Sequence, residues 1–118
     1  MNTFPPEILE LMAGKFAMLA DATRLAILRA LMEGEKSVGA VVLATGRGQA
    51  NVSKHLKLLA DAGLIGRRKE GLQVFYRIVD PMIEKLCDLV CKTLMAELKE
   101  DADRQRGLFD ELKKRIGR

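Results

Sequence analysis

The feature that most constrains this fold is a glycine-rich break between a short apolar segment and a segment with apolar residues at helical spacing. Thr45–Gly48 contains two glycines within three residues, a composition that ends one helix and forms a tight turn before the next. Before the break, Ser37 is suited to cap a short apolar helix from Val38. After it, apolar residues recur at helical spacing from Gln49 to about Gly63. This pattern predicts a helix-turn-helix, whose second helix lies in the DNA major groove.

The flanking segments predict a β-hairpin and three further helices. Apolar periodicity indicates two helices upstream, over about residues 6–20 and 22–33. Downstream, two short strands flank a basic turn with Gly71, which is typical of a hairpin or "wing". A long last helix begins at Pro81, with Asp80 as its cap. The expected fold is mainly α with a small β-hairpin, a winged helix-turn-helix with four helices, two strands and a fifth helix in that order.

Composition indicates a soluble globular protein with one domain. Apolar residues make up 48% of the chain and charged residues 31%, which is enough to form a core. We expect the domain to span residues 1–103, and a charged tail over 104–118, interrupted at Gly107, to fray or form a short extra helix. No uncharged run approaches the length of a membrane span, so we expect a cytoplasmic protein without a membrane partner.

Positive charge is concentrated in the middle of the chain. Residues 47–77 hold seven basic and two acidic side chains. Such a local excess is the footprint of a surface that binds a polyanion, although a solvated basic face is the alternative. On the second helix of the motif, polar side chains suit base edges, and long cations in the wing suit phosphates or the minor groove. The predicted DNA contacts are Arg47, Gln49, Ala50, Asn51, Ser53, Lys54, His55, Lys57, Arg67, Arg68, Lys69, Gln73 and Arg77.

His55 has two interpretations of about equal weight. It follows Val52 by three residues and directly precedes Leu56, so it lies close to the apolar face of its helix. One alternative is a histidine packed and hydrogen-bonded inside the domain, and the other is a contact to DNA.

The last helix carries an apolar face that one small domain cannot cover alone. Its main row repeats every four residues, and a second subunit is its expected cover. We therefore predict a homodimer, whose two-fold symmetry requires an inverted-repeat site in double-stranded DNA. The predicted interface residues are Leu9, Met12 and Phe16 on the first helix and Met82, Leu86, Val90, Leu94 and Leu98 on the last.

Three ordered sequence blocks resemble the ArsR/SmtB family of metal- and redox-sensing winged helix-turn-helix regulators. They are Leu19–Leu28, then Asn51–Leu59 with Ala62–Ile65, and finally Arg67–Gly71 with Val74–Arg77. The resemblance spans about residues 8–100. It implies a dimer built from the first and last helices and a repressor that is released from DNA when an inducer binds.

The chain departs from this family at the places where its well-marked metal ligands lie. The helix before the turn has no cysteine, and the last helix has no histidine. Cys87 and Cys91 remain, one helical turn apart on the last helix. They are either small apolar fillers of a dimer core or the inducer site, responding to thiol oxidation or a soft metal ion. No cofactor is certain.

Other function classes receive less support. A lone histidine 32 residues before the nearer cysteine does not favour nucleophilic catalysis, so we predict that the chain is not an enzyme. The alternatives to an inducible repressor are a winged-helix module that binds protein and a constitutive DNA-binding regulator without a metal or redox effector.

Overall fold

The helices and strands follow one another in the predicted order, with one additional strand. The computed structural model describes residues 3–116, apart from the side chain of Ile116. The elements are α1 (Pro6–Leu19), α2 (Ala22–Leu31), β1 (Lys36–Ser37), α3 (Val38–Thr45), α4 (Gln49–Asp61), β2 (Ile65–Glu70), β3 (Gln73–Ile78) and α5 (Met82–Ile116). The prediction of a mainly helical winged helix-turn-helix is confirmed. The addition is β1, which at two residues is too short to show the alternation that marks a strand.

Helix boundaries follow from side-chain caps and left-handed glycines, of which Gly46 matters most for the turn between α3 and α4. The Asp21 carboxylate accepts a hydrogen bond from the Arg24 backbone N–H at 3.0 Å and starts α2. The Ser37 hydroxyl accepts from the Ala40 N–H at 3.2 Å and starts α3. Gly46, with φ of +68°, ends α3 in a conformation that most L residues avoid. Gly46 therefore marks where the turn between α3 and α4 begins.

The three strands form an antiparallel sheet in the order β1-β3-β2. Phe75 on the central strand β3 is paired with Ser37 on one side and with Arg68 on the other. Outside that rung, Lys69 and Glu70 pair only with β3. The outer end of the hairpin is therefore a two-stranded ribbon.

The core is formed by α2, α3, α4 and the start of α5 with the sheet. Val52, Leu56 and Leu59 point inward from α4 and are fully buried. The other fully buried large side chains in the described part of the chain are Ile27, Leu28, Val41, Leu64 and Ile83. Because one apolar row of α4 is buried, the residues on its opposite side face outward.

α5 is one continuous helix of 35 residues. The described residues form two compact units that divide between Ile83 and Glu84. The helix runs through Gly107 without the expected interruption, since glycine inside a helix costs only about 1 kcal/mol and its neighbours are good helix formers. The domain division at residue 103 stays a prediction. No helix within residues 3–116 is long and apolar enough to cross a membrane.

Asp80 caps the start of α5 and forms an ion pair with α1. Its carboxylate accepts from the Met82 N–H at 2.9 Å and lies 2.9 Å from the Lys15 ammonium. The hydrogen bond from Lys15, followed by that from Met82, lowers the pKa of Asp80 from its ordinary value of 3.8. The carboxylate is thus more easily ionised in the folded chain than in the unfolded one.

Asp80→Asn should lower the thermal unfolding midpoint at neutral pH and change it little in acid. A depressed folded-state pKa contributes stability that is present above the unfolded-state value and is lost as the pH falls through the folded-state value. Circular dichroism melts of both proteins between about pH 7 and about pH 3 measure the difference. Asp61→Asn, which removes an exposed pair with Lys57, is the control and should have little effect. An equal loss at every pH would contradict the charge-based explanation.

Candidate nucleic-acid interface

The outward side of α4 is polar and exposed. Six of the predicted contact residues lie on it with exposed side chains: Gln49, Ala50, Asn51, Ser53, Lys54 and Lys57. Amide side chains can donate and accept hydrogen bonds at once, which suits the major-groove edges of base pairs. The local sequence produces this face because every apolar residue of the buried row falls on the other side of the helix.

His55 is placed inside the domain, which is the packed alternative of the sequence analysis. Only 8% of the residue is exposed. Its Nδ1 lies 3.3 Å from Nη1 of Arg24, and because a guanidinium can only donate, Nδ1 is the acceptor. Arg24 also donates to the backbone carbonyls of Met18 at 2.7 Å and Ala17 at 3.2 Å, at the end of α1. We therefore leave His55 out of the exposed face.

Arg47 lies in the turn before α4 and is half-buried. Its Nε donates to the Thr23 hydroxyl at 3.1 Å, and its backbone N–H donates to the Thr45 hydroxyl at 3.4 Å. These bonds hold the turn against the start of α2. Only the bond to Thr23 uses a guanidinium N–H, one of five. The domain therefore orients the Arg47 side chain at the N-terminal end of α4.

The wing carries three further exposed cations and one exposed amide side chain. Arg67 and Lys69 on β2 and Gln73 and Arg77 on β3 are all exposed. Leu72, in the turn between the strands, is fully exposed. The basic hairpin follows α4 directly in the chain, and β2 packs against that helix. Exposed cations on both elements therefore belong to one compact unit.

Arg68 differs from the other predicted wing contacts because two carboxylates surround it. Its Nε lies 2.9 Å from each carboxylate oxygen of Glu35, and its Nη1 lies 2.6 Å from Glu70. The hydrogen bond from Arg68 lowers the pKa of Glu35, and the two carboxylates raise the pKa of Arg68. Glu35 was not a predicted site residue, since it lies 33 positions away and only the fold brings it close.

Six of the eight predicted interface residues have exposed side chains. On α1, Leu9, Met12 and Phe16 are exposed. On α5, Val90, Leu94 and Leu98 are exposed, whereas Met82 and Leu86 are half-buried. Large apolar side chains in such rows are typical of surfaces that another chain covers.

Cys87 and Cys91 lie on α5 one turn apart, the first half-buried and the second exposed. Within the described residues there is no group of three or more histidine, cysteine, aspartate or glutamate side chains that could hold a metal ion. Two thiolates are fewer ligands than the four of a closed tetrahedral site. A metal ion bound here would need ligands from a second chain or from solvent.

These features define a winged helix-turn-helix regulatory protein. Residues 21–66 match the family model described as bacterial regulatory protein, arsR family. An HTH-type transcriptional regulator of Methanocaldococcus jannaschii is 38% identical over 76 residues, which are 64% of this chain and 85% of that one. The chain belongs to the ArsR family. The family consists of transcriptional regulators, so the prediction that the chain is not an enzyme is confirmed.

Two further relatives carry more specific descriptions. The probable mercury resistance operon repressor of Streptomyces lividans is 37% identical over 71 residues, or 60% of this chain, which spans only 57% of that relative. The homodimeric winged helix-turn-helix DNA-binding domain from Mycobacterium bovis, solved by NMR, superposes with a TM-score of 0.71 at 31% identity. That match covers 85% of this chain and 95% of the M. bovis domain.

Proposed function

We propose that the chain is a homodimeric repressor that binds an inverted repeat in double-stranded DNA and is released by a thiol-reactive inducer or a soft metal ion. The observation that carries the DNA-binding part is the exposed polar face of α4 beside the basic wing. This arrangement suits a recognition helix in the major groove with the hairpin over an adjacent phosphate backbone or minor groove. The S. lividans relative, which is described as a probable repressor, supports the same function.

The two parts of this surface have different roles in the proposal. Asn51 and Lys54 lie on the helix, where bidentate or charged groups distinguish bases. Arg67 and Lys69 lie on the wing, where cations neutralise phosphates whatever the sequence. Specificity should therefore depend on the helix, and salt sensitivity on the wing.

The double variant Arg67→Ala with Lys69→Ala should weaken binding to all duplexes and flatten its salt dependence. Each lost phosphate contact lowers the slope of log K against log salt by about 0.9, so the expected change is just under two. Asn51→Ala should instead reduce discrimination at one base pair, by about 1–3 kcal/mol. Fluorescence anisotropy on a duplex selected from random sequences by the wild-type protein measures both effects.

The matched control is Lys113→Ala with Lys114→Ala, which removes the same charge from the exposed end of α5. It should leave the salt slope nearly unchanged. If the wild-type protein selects no duplex from the random sequences even at low salt, the proposed function is refuted.

A second copy of the chain is the proposed cover for the apolar surfaces of α1 and α5. The M. bovis relative is described as homodimeric. Paired subunits place two recognition helices about one DNA turn apart, which is the reason for proposing an inverted-repeat site.

Val90→Glu should convert the protein to a folded monomer that binds DNA weakly. Val90 is 50% exposed in the single chain, so the new carboxylate is solvated in the monomer and desolvated only in the dimer. Sedimentation velocity at micromolar concentration measures the association state. Lys92→Glu, two residues along and thus on the opposite side of the helix, is the control and should remain dimeric. A wild-type monomer under the same conditions would contradict the proposal.

Cys87 and Cys91 are the proposed inducer site. They share one side of α5 because they are four residues apart, and sulfur ligands favour soft metals such as the mercury named for the S. lividans relative. Oxidation or metal binding at a subunit-joining helix would change the angle between the two recognition helices. A typical coupling of about 1–3 kcal/mol weakens DNA binding by about five- to 150-fold.

The double variant Cys87→Ser with Cys91→Ser should bind DNA as tightly as the untreated wild type and lose the response to inducers. The measurement is affinity for the selected duplex before and after peroxide, polysulfide, zinc, cadmium or arsenite. If the double variant still responds, or the wild type responds to none of these, the cysteines are core residues and the inducer binds elsewhere.

A further inference from the structure

Arg68 connects the two edges of the three-stranded sheet. It lies on the edge strand β2, opposite Phe75 on the central strand, and Phe75 is in turn opposite Ser37 on the other edge strand. The guanidinium carbon of Arg68 is 4.6 Å from the centre of the Phe75 ring. From there the side chain reaches Glu35, which directly precedes β1. One side chain thus crosses the central strand.

The geometry at Glu35 is that of a forked ion pair. Nε and Nη2 of Arg68 lie 2.9 Å and 2.7 Å from the same Glu35 carboxylate, and Nη1 lies 2.6 Å from Glu70. Such pairing fixes the orientation of a planar guanidinium more tightly than a single contact does. Two carboxylates against one guanidinium also leave the group of three with a net negative charge. These contacts use three of the five guanidinium N–H groups, and a phosphate that approached Arg68 would meet the negative charge of both carboxylates.

The position of this contact along the hairpin gives it a mechanical consequence. The rung formed by Ser37, Phe75 and Arg68 is the outermost one that has three strands. Beyond it, β2 and β3 continue as a two-stranded ribbon, and an isolated ribbon is at best marginally stable in water. The Arg68 contacts therefore lie where the wing leaves the support of the domain.

We propose that Arg68 is a positioning residue of the wing, with Glu35 as its partner, and that it is not a phosphate contact. Arg67 and Lys69 alternate with it along β2 and lie on the other face of the strand. In this arrangement Arg68 holds the hairpin against β1, and its two neighbours meet DNA. The expected effect of Arg68 on DNA affinity rests on the proposed function. Its expected effect on the conformation of the hairpin does not.

Glu35→Gln separates the two roles of Arg68 by the sign of its effect. If Arg68 contacts phosphate, loss of the competing carboxylate frees a cation and removes a negative charge, so DNA binding becomes tighter. If Arg68 positions the wing, the same variant loosens the hairpin and weakens binding in spite of the added net positive charge. We expect weakening of about two- to fivefold, the effect of losing one well-formed exposed ion pair.

The experiment compares Glu35→Gln, Arg68→Gln, Arg68→Lys and the control Arg67→Gln on the duplex selected by the wild-type protein. The first two should weaken binding by similar factors and change the salt slope little. Arg68→Lys should not restore wild-type affinity, because a lysine keeps the charge without the forked geometry. Arg67→Gln should lower the slope by about 0.9, as expected for a phosphate contact.

Hydrogen exchange without DNA tests the same inference independently. Amides of β2 and β3 should exchange faster in Glu35→Gln and Arg68→Gln than in the wild type, and at the wild-type rate in Arg67→Gln. Tighter DNA binding by Glu35→Gln, or unchanged exchange in both variants, would overturn the proposed role of Arg68. If the wild type binds no duplex, the proposed function fails, and the exchange rates alone decide whether Arg68 positions the wing.

Discussion

The burial of one apolar row on α4 is the constraint on which the rest of the candidate site depends. Val52, Leu56 and Leu59 are fully buried, and burying a side chain of this size stabilises the fold by about 1.5–3 kcal/mol. No rotation of α4 could expose these side chains without losing that stabilisation. The polar residues on the opposite side are therefore presented outward together. A surface able to read DNA is thus a consequence of core packing.

Intramolecular partners decide which cations remain available on this surface. Arg24 binds the end of α1 and the ring of His55, and Arg68 binds Glu35 and Glu70. Both arginines link elements that are far apart in the chain. Arg67 and Lys69 lie on the other face of β2 from Arg68. Within the basic segment 47–77, Arg68 therefore organises the domain whereas Arg67 and Lys69 suit phosphate binding, and total charge does not distinguish the two kinds of cation.

The first turn of α5 contributes a buried side chain to the core, whereas most apolar side chains of its later turns are exposed. Ile83 is fully buried and the Asp80 cap orients the first turn, whereas Val90, Leu94 and Leu98 are exposed. Ion pairs such as Arg104 with Asp101 lie along its later turns. A helix of 35 residues is about 50 Å long. Most of its apolar face is therefore exposed in a single chain, which is why our dimer proposal relies on it.

The sequence alone determined what depends on local chemistry: the helices, the caps at Asp21, Ser37 and Asp80, the glycine turn, the hairpin and the family resemblance. Apolar period and capping act over a few residues, so they can be read without the fold. Only the tertiary structure decided the strand β1 and the partners of Arg68 and His55. Glu35 and Arg24 are 33 and 31 residues from the groups they bind. A sequence pattern that repeats every few residues cannot predict a contact over such a separation.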